Sequence, residues 1–196
     1  MKRVCESLQL KSICVYCGAS TGDSPEFLAL AESLGTNLAK RRIRLVYGGG
    51  SVGLMGILAD AALAAEGEVL GIIPQSLRDK EVHHPGISEL VIVDSMHERK
   101  AQMVEASDGF IAMPGGFGTL DELFETLTWA QLGHHQKPVG ILNPSGYFDL
   151  LLAFLQNAAS HQLVKPGHLE MLLVDDQVDP LLTKMADYEA PTLAKW

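Results

Sequence analysis

The sequence predicts an α/β fold: a Rossmann-like, doubly wound parallel sheet flanked by helices, in a single domain. Three observations carry that prediction. Short β-branched and apolar runs alternate with longer stretches of helical period, the pattern of a parallel sheet covered by helices. The 196 residues, 47% hydrophobic and 20% charged, suit one compact core over about 12–186 and neither a disordered nor a fibrous chain. The unusual residues gather just after the expected strands, where open sheets of this kind hold their ligands.

The first expected strand, 12–16, runs into Gly18-Ala19-Ser20-Thr21-Gly22. A helix follows over 25–41, with Ser24 as N-cap, Pro25 in the first helical position and Phe27, Leu30, Ala31, Leu34 and Leu38 at helical spacing. Further strands are expected at 43–47, 69–73, 90–94, 109–113, 138–142 and 171–174. Two more core-facing stripes run through Leu120, Leu123, Phe124 and Leu127 and through Phe148, Leu151, Leu152 and Leu155. The longest irregular stretch, 74–88, contains Arg78, Asp79, Lys80, Glu81, His83 and His84, and a loop that long in a compact domain is often functional. Residues 187–196 read as a surface tail.

Bulk properties exclude several classes of partner. A formal net charge of −9 without any Lys/Arg stripe disfavours nucleic acid, so an anionic ligand must be met by a local device. Three cysteines are too few and too unevenly placed for a disulfide framework, which fits a reducing cytoplasm. The first residues lack the apolar stretch of a secretory peptide, and no apolar run approaches the ~20 residues of a membrane span. A cytoplasmic protein without a membrane partner is expected. Cys14 and Cys17 stand an odd number of residues apart and point to opposite faces of a regular strand, while His83-His84 and His134-His135 lack zinc-ligand spacing, so no metal site is expected.

Two glycine loops each join a strand to a helix. In Tyr47-Gly48-Gly49-Gly50-Ser51-Val52-Gly53-Leu54-Met55-Gly56, the glycines 48, 50 and 53 satisfy the dinucleotide fingerprint spacing. That fingerprint normally follows the first strand and expects a ribose-binding acid at the end of the next one, where this chain has Ile72-Ile73-Pro74-Gln75. Tight helix packing is the other reading. The second loop, Pro114-Gly115-Gly116-Phe117-Gly118-Thr119, offers close backbone approach and the unpaired N–H groups and dipole of a helix start, which stabilise a phosphate. No Walker lysine follows, so P-loop ATP hydrolysis is not expected.

Two stretches have the form of a capping box: Ser95-Met96-His97-Glu98 and Thr119-Leu120-Asp121-Glu122. Glu122 is therefore either a helix cap or, if a ligand takes the helix-start amides, a carboxylate beside whatever the phosphate carries. Arg99 and Lys100 fall on the side of Met96 and Met103, away from Glu98, so two cations face the apolar side; they either snorkel to solvent or meet an anion. Gly18-Ala19-Ser20-Thr21-Gly22 matches a nucleophile elbow, yet its helix starts several residues late, and Ser20 is better read as part of a ligand-binding turn or a plain turn.

These motifs together resemble the Lonely Guy family, the cytokinin riboside 5′-monophosphate phosphoribohydrolases. Pro114 to Glu122 fits the PGGxGTxxE signature, and Tyr47-Gly48-Gly49-Gly50 with Gly53-Leu54-Met55-Gly56, and Met96-His97-Glu98-Arg99-Lys100, are similar to its other two. The likeness runs over about 12–174 and departs at no key position. It implies a nucleoside 5′-monophosphate substrate, hydrolysis at the N-glycosidic bond without metal or other cofactor, and a homodimer or larger assembly with the site near the interface. It also implies Arg99 and Glu122 as the catalytic pair. Ser20, Gly50, Glu81, Met96, Lys100, Gly115, Gly116, Phe117, Gly118 and Thr119 are then the candidates for binding substrate. Similar sequences often carry the label lysine decarboxylase, but no lysine here sits in a recognisable pyridoxal-phosphate context. The competing expectation is a nucleotide or cofactor carrier without turnover, and a third is an NAD-dependent oxidoreductase.

Overall fold

The computed structural model describes residues 9–78 and 83–191. In chain order the elements are β1 (Ser12–Tyr16), α1 (Pro25–Lys40), β2 (Arg44–Tyr47), α2 (Gly53–Ala64), β3 (Val69–Pro74), the single turn α3 (Gln75–Arg78), β4 (Glu89–Val93) and α4 (Met96–Glu105). They continue with β5 (Gly109–Ala112), α5 (Phe117–Gln131), β6 (Val139–Leu142), α6 (Asp149–Ser160), the short α7 (Pro166–Leu169), β7 (Leu172–Asp175) and α8 (Val178–Ala186). All seven strands expected from the sequence are present, with boundaries shifted by a residue or so.

The strands form one sheet in the order β4-β3-β2-β1-β5-β6-β7, and every pairing is parallel. A parallel sheet needs crossover helices on its faces, and these bury the strands on both sides. β3, β5 and β6 are accordingly buried along their whole length, whereas the edge strand β4 exposes Glu89 and Ile92. Alternate strand residues feed two cores. Ile13, Val15, Leu45, Tyr47 and Ile111 pack against α1, α2 and α8. Cys14, Tyr16, Val46, Ile72 and Phe110 pack against α4, α5 and α6. Cys14 therefore lies in one core while Cys17 packs against the other, as their odd spacing demands.

Strand order reverses between β1 and β5, so the crevice for a ligand lies beyond the carboxyl ends of these two strands. The loops that close it touch directly: the Gly18 N–H donates to the Pro114 carbonyl at 3.1 Å. The start of α2 is drawn into the same place. Leu54 N–H donates to the Gly18 carbonyl at 3.1 Å, and Gly53, at φ 59°, sits so close to the Ala19–Ser20 backbone that any side chain would overlap it. Of the helix starts, α1 is capped as expected, Ser24 accepting from the Glu26 N–H and Pro25 occupying the first position. No helix among the described residues is long and apolar enough to cross a membrane.

Candidate functional site

The two expected capping boxes part company. At α4, Ser95 Oγ accepts from the Glu98 N–H at 3.1 Å, and Glu98 Oε2 accepts from the Asp94 N–H at 2.9 Å, one residue before the cap. At α5 there is no box. The helix begins at Phe117 with Gly116 as N-cap, three residues earlier than a Thr119 cap requires, and no side chain among the described residues caps it. Gly115 and Gly116 allow that early turn: a Cβ on Gly115 would overlap the Thr119 hydroxyl. Thr119 is thereby placed in the first turn, 3% exposed, and its Oγ1 is buried without a hydrogen-bond partner among the described residues. Around Gly116 and Gly118 the space is open, with nothing within 4 Å of where a Cβ would stand. The helix start thus presents uncapped amides to open space, with the Thr119 hydroxyl buried against Gly115 in the same turn, an arrangement suited to an oxyanion.

Glu122, released from capping, lies opposite Arg99. Arg99 Nη1 is 3.6 Å from Glu122 Oε1, with both side chains about nine-tenths buried. Arg99 is held by main chain: its Nε donates to the Ile72 carbonyl at 3.0 Å and Nη2 to the Gly48 carbonyl at 3.2 Å. A Cβ on Gly48 would collide with the guanidinium, which gives that glycine a role the fingerprint reading does not contain. The Met96 sulfur lies 3.9 Å from Arg99 Nη1, and Met96 is 40% exposed at the rim. Of the two cations on the apolar side of α4, Arg99 is therefore buried against an anion and two carbonyls. Lys100 is engaged by Asp121 at 3.1 Å and Glu125 at 3.2 Å; burial works against its charge, but these carboxylates outweigh burial and hold its pKa above the ordinary lysine value. Lys100 thereby ties α4 to α5.

Burial pushes the Glu122 carboxyl up from 4.5 to about 7, with Arg99 and Lys100 pulling down and Asp121 and Glu125 pushing up. At neutral pH the group is divided between acid and carboxylate, the condition in which it can donate or accept a proton with little driving force against it.

An open cavity of about 530 Å³ adjoins the glycine loop and is lined by Gly18–Asp23, Phe27, Leu54, Pro114–Gly116 and Tyr147. Ser20 lies on its exposed rim, with Oγ accepting from the Gly22 N–H at 3.3 Å. Phe117 is 94% exposed beside the helix start. Gly50 is buried and bridges His83 in a short antiparallel contact. Glu81 falls outside the described residues. The structure thus brings Arg99, Glu122, Met96 and Lys100 together, and places Gly115, Gly116, Gly118 and Thr119 at one helix start.

Two residues escaped the sequence reading. His84, in the expected irregular stretch 74–88, is 9% exposed; its Nδ1 accepts from the Gly86 N–H, so its Nε2 donates to Asp60 at 2.9 Å. Its own N–H donates to the Gly49 carbonyl, next to the carbonyl that holds Arg99. Tyr147 sits in the turn after β6 and donates to the Gly115 carbonyl at 2.8 Å. The rule that ligands lie beyond strand ends could have singled out Tyr147; the His84 pairing with α2 leaves no trace in spacing. Among the described residues no group of three or more His, Cys, Asp or Glu side chains is placed to hold a metal ion.

A family profile described as possible lysine decarboxylase matches residues 55–185. The chain is 45% identical over 181 residues to the cytokinin riboside 5′-monophosphate phosphoribohydrolase LOG5 of Arabidopsis thaliana, covering 92% of this chain and 79% of that protein. It is 44% identical over 180 residues to the probable cytokinin riboside 5′-monophosphate phosphoribohydrolase LOGL9 of Oryza sativa subsp. japonica, with 92% and 79% covered. Among solved structures, the molybdenum cofactor binding protein of Rippkaea orientalis superposes with a TM-score of 0.66 at 24% identity, covering 90% of this chain and 96% of that one. The molybdenum cofactor carrier protein of Chlamydomonas reinhardtii gives 0.67 at 18% identity, with 90% and 98% covered. At such identities these two likenesses show a shared fold.

Proposed function

Because this chain belongs to the Lonely Guy family of phosphoribohydrolases, we propose that it hydrolyses the N-glycosidic bond of a nucleoside 5′-monophosphate, AMP or a cytokinin riboside 5′-monophosphate. The products are the free base and ribose 5-phosphate. The observation that carries the reading is the pairing of an uncapped, glycine-rich helix start with a buried carboxyl on the next turn of the same helix, facing an arginine 3.6 Å away. Amides of the helix start and the Thr119 hydroxyl hold the 5′-phosphate, with the helix dipole favouring its charge. The sugar then extends toward Glu122.

In the reaction the bond from C1′ to the base nitrogen breaks, its electron pair leaving with the base, and water adds at C1′. The Glu122 carboxylate stabilises the positive charge developing on the sugar and takes a proton from the attacking water; solvent protonates the departing base, which leaves neutral, and the proton on Glu122 returns to solvent. Arg99, fixed by two carbonyls, stays charged and draws electron density toward the departing base. Met96 and Phe117 offer apolar contact, Ser20 lines the cavity, and Gly50, Lys100 and Glu81 are assigned to substrate binding in this reading. The same reading carries a homodimer, which sedimentation of the purified protein tests, and a cytoplasmic location, which fractionation of cells tests.

Incubation with AMP and with N6-prenylated AMP, followed by chromatography, is the test. Release of adenine or the prenylated base with ribose 5-phosphate is the expected result. Nucleotide bound but recovered intact would instead make the protein a carrier.

A further inference from the structure

Tyr147 lies outside the three sequence signatures, in the turn between β6 and α6, yet it touches the phosphate loop. Its hydroxyl donates to the Gly115 carbonyl at 2.8 Å, and its ring lines the cavity beside that loop while remaining 45% exposed. The ring is held on two sides. It meets Phe27 edge-on at 5.4 Å between centroids and Phe148 edge-on at 4.8 Å. The turn itself is rigid: Asn143 accepts from the Phe148 N–H at 2.7 Å and donates to Asp149 at 2.8 Å, and Ser145, at φ 49°, is bonded to Glu26 of α1.

Gly115 is the hinge of the uncapped helix start. On one side Pro114 is tied to the Gly18 N–H, on another Thr119 presses against Gly115, and Tyr147 fixes the remaining direction through the Gly115 carbonyl. The peptide that follows that carbonyl leads into Gly116, the N-cap of α5. We propose that Tyr147 is a positioning residue: it orients the Gly115–Gly116 peptide so that the amides at the start of α5 converge on the phosphate of the substrate. This rests on the phosphate assignment in the hydrolase reading and adds a residue from a fourth loop to it.

The hydroxyl is removed without disturbing the ring in Tyr147→Phe. A single neutral hydrogen bond predicts that affinity for ribose 5-phosphate, measured by titration calorimetry, falls about three- to tenfold. KM for the nucleotide should rise alongside while kcat stays within about twofold, because the phosphate is held alike in ground and transition states. A purely structural tyrosine would lower Tm and leave both affinity and KM unchanged, and that result overturns the proposal. So does a wild-type protein that does not bind ribose 5-phosphate. The calorimetric arm separates this proposal from the hydrolase reading: weakened binding in Tyr147→Phe supports it even if the wild-type protein cleaves nothing, whereas turnover lost only in Glu122→Gln speaks to the chemistry alone.

Discussion

The starts of α4 and α5 carry nearly the same four-residue pattern, Ser-x-x-Glu and Thr-x-x-Glu, and do opposite things with it. At α4 the serine and glutamate satisfy backbone donors, and the helix is complete in itself. At α5 two glycines let the helix begin early, the threonine hydroxyl is orphaned, and the glutamate turns to Arg99. A buried unpaired hydroxyl and a buried carboxyl with a raised pKa are each unfavourable to folding. The difference teaches that the first start satisfies its own backbone with its polar side chains, whereas the second leaves them unused by the backbone, at the expense of local stability, as the proposed phosphate site requires.

The largest effect should come from Glu122→Gln, which keeps shape and removes the ionisable oxygen. Turnover should fall by about 10³-fold, within the range for a lost acid–base group, while calorimetric affinity for ribose 5-phosphate is retained. Near-normal turnover would return Glu122 to the rank of an ordinary buried helix residue.

Its pH dependence follows from the sign of the shift. Glu122 binds its proton more tightly folded than unfolded, so ionising it erodes stability as pH rises from about 4.5 through about 7. Glu122→Gln, which mimics the protonated form, should therefore exceed the wild type at pH 8 by about 1–3 kcal/mol and match it near pH 4.5 in thermal or urea unfolding. If the ionised form does the chemistry, wild-type kcat/KM rises as pH climbs through about 7. A fall over that interval would assign the work to the protonated acid.

The smallest effects compare the two helix starts directly. Ser95→Ala removes a working cap and should destabilise by about 1 kcal/mol, lowering Tm by roughly 2–4 °C. Thr119→Val removes a hydroxyl with no partner among the described residues, so Tm should hold or rise, while KM for the nucleotide increases several-fold. Equal losses of stability in the two variants would mean that Thr119 is a cap after all.

Much of this was legible in the chain because it lives in local pattern. The seven strands follow from runs of apolar residues, and the Ser24 and Ser95 caps from residues a turn apart. Arg99 was legible as a cation on an apolar face, but not its grip on the carbonyls of Ile72 in β3 and of Gly48 just after β2, 27 and 51 residues away in the chain. Thr119 as a cap was the wrong reading, since the same letters cap a helix or not according to the glycines ahead of them. Tyr147 and His84 were hidden for the same reason: their partners, Gly115 and Asp60, are neighbours only once the sheet is wound.

A crystal structure of the Glu122→Gln variant with AMP bound tests the arrangement most directly. The phosphate oxygens should lie about 3 Å from the amides that open α5 and from the Thr119 hydroxyl, with C1′ facing residue 122. A nucleotide bound with its phosphate elsewhere, or with C1′ directed away from that side chain, would contradict the account.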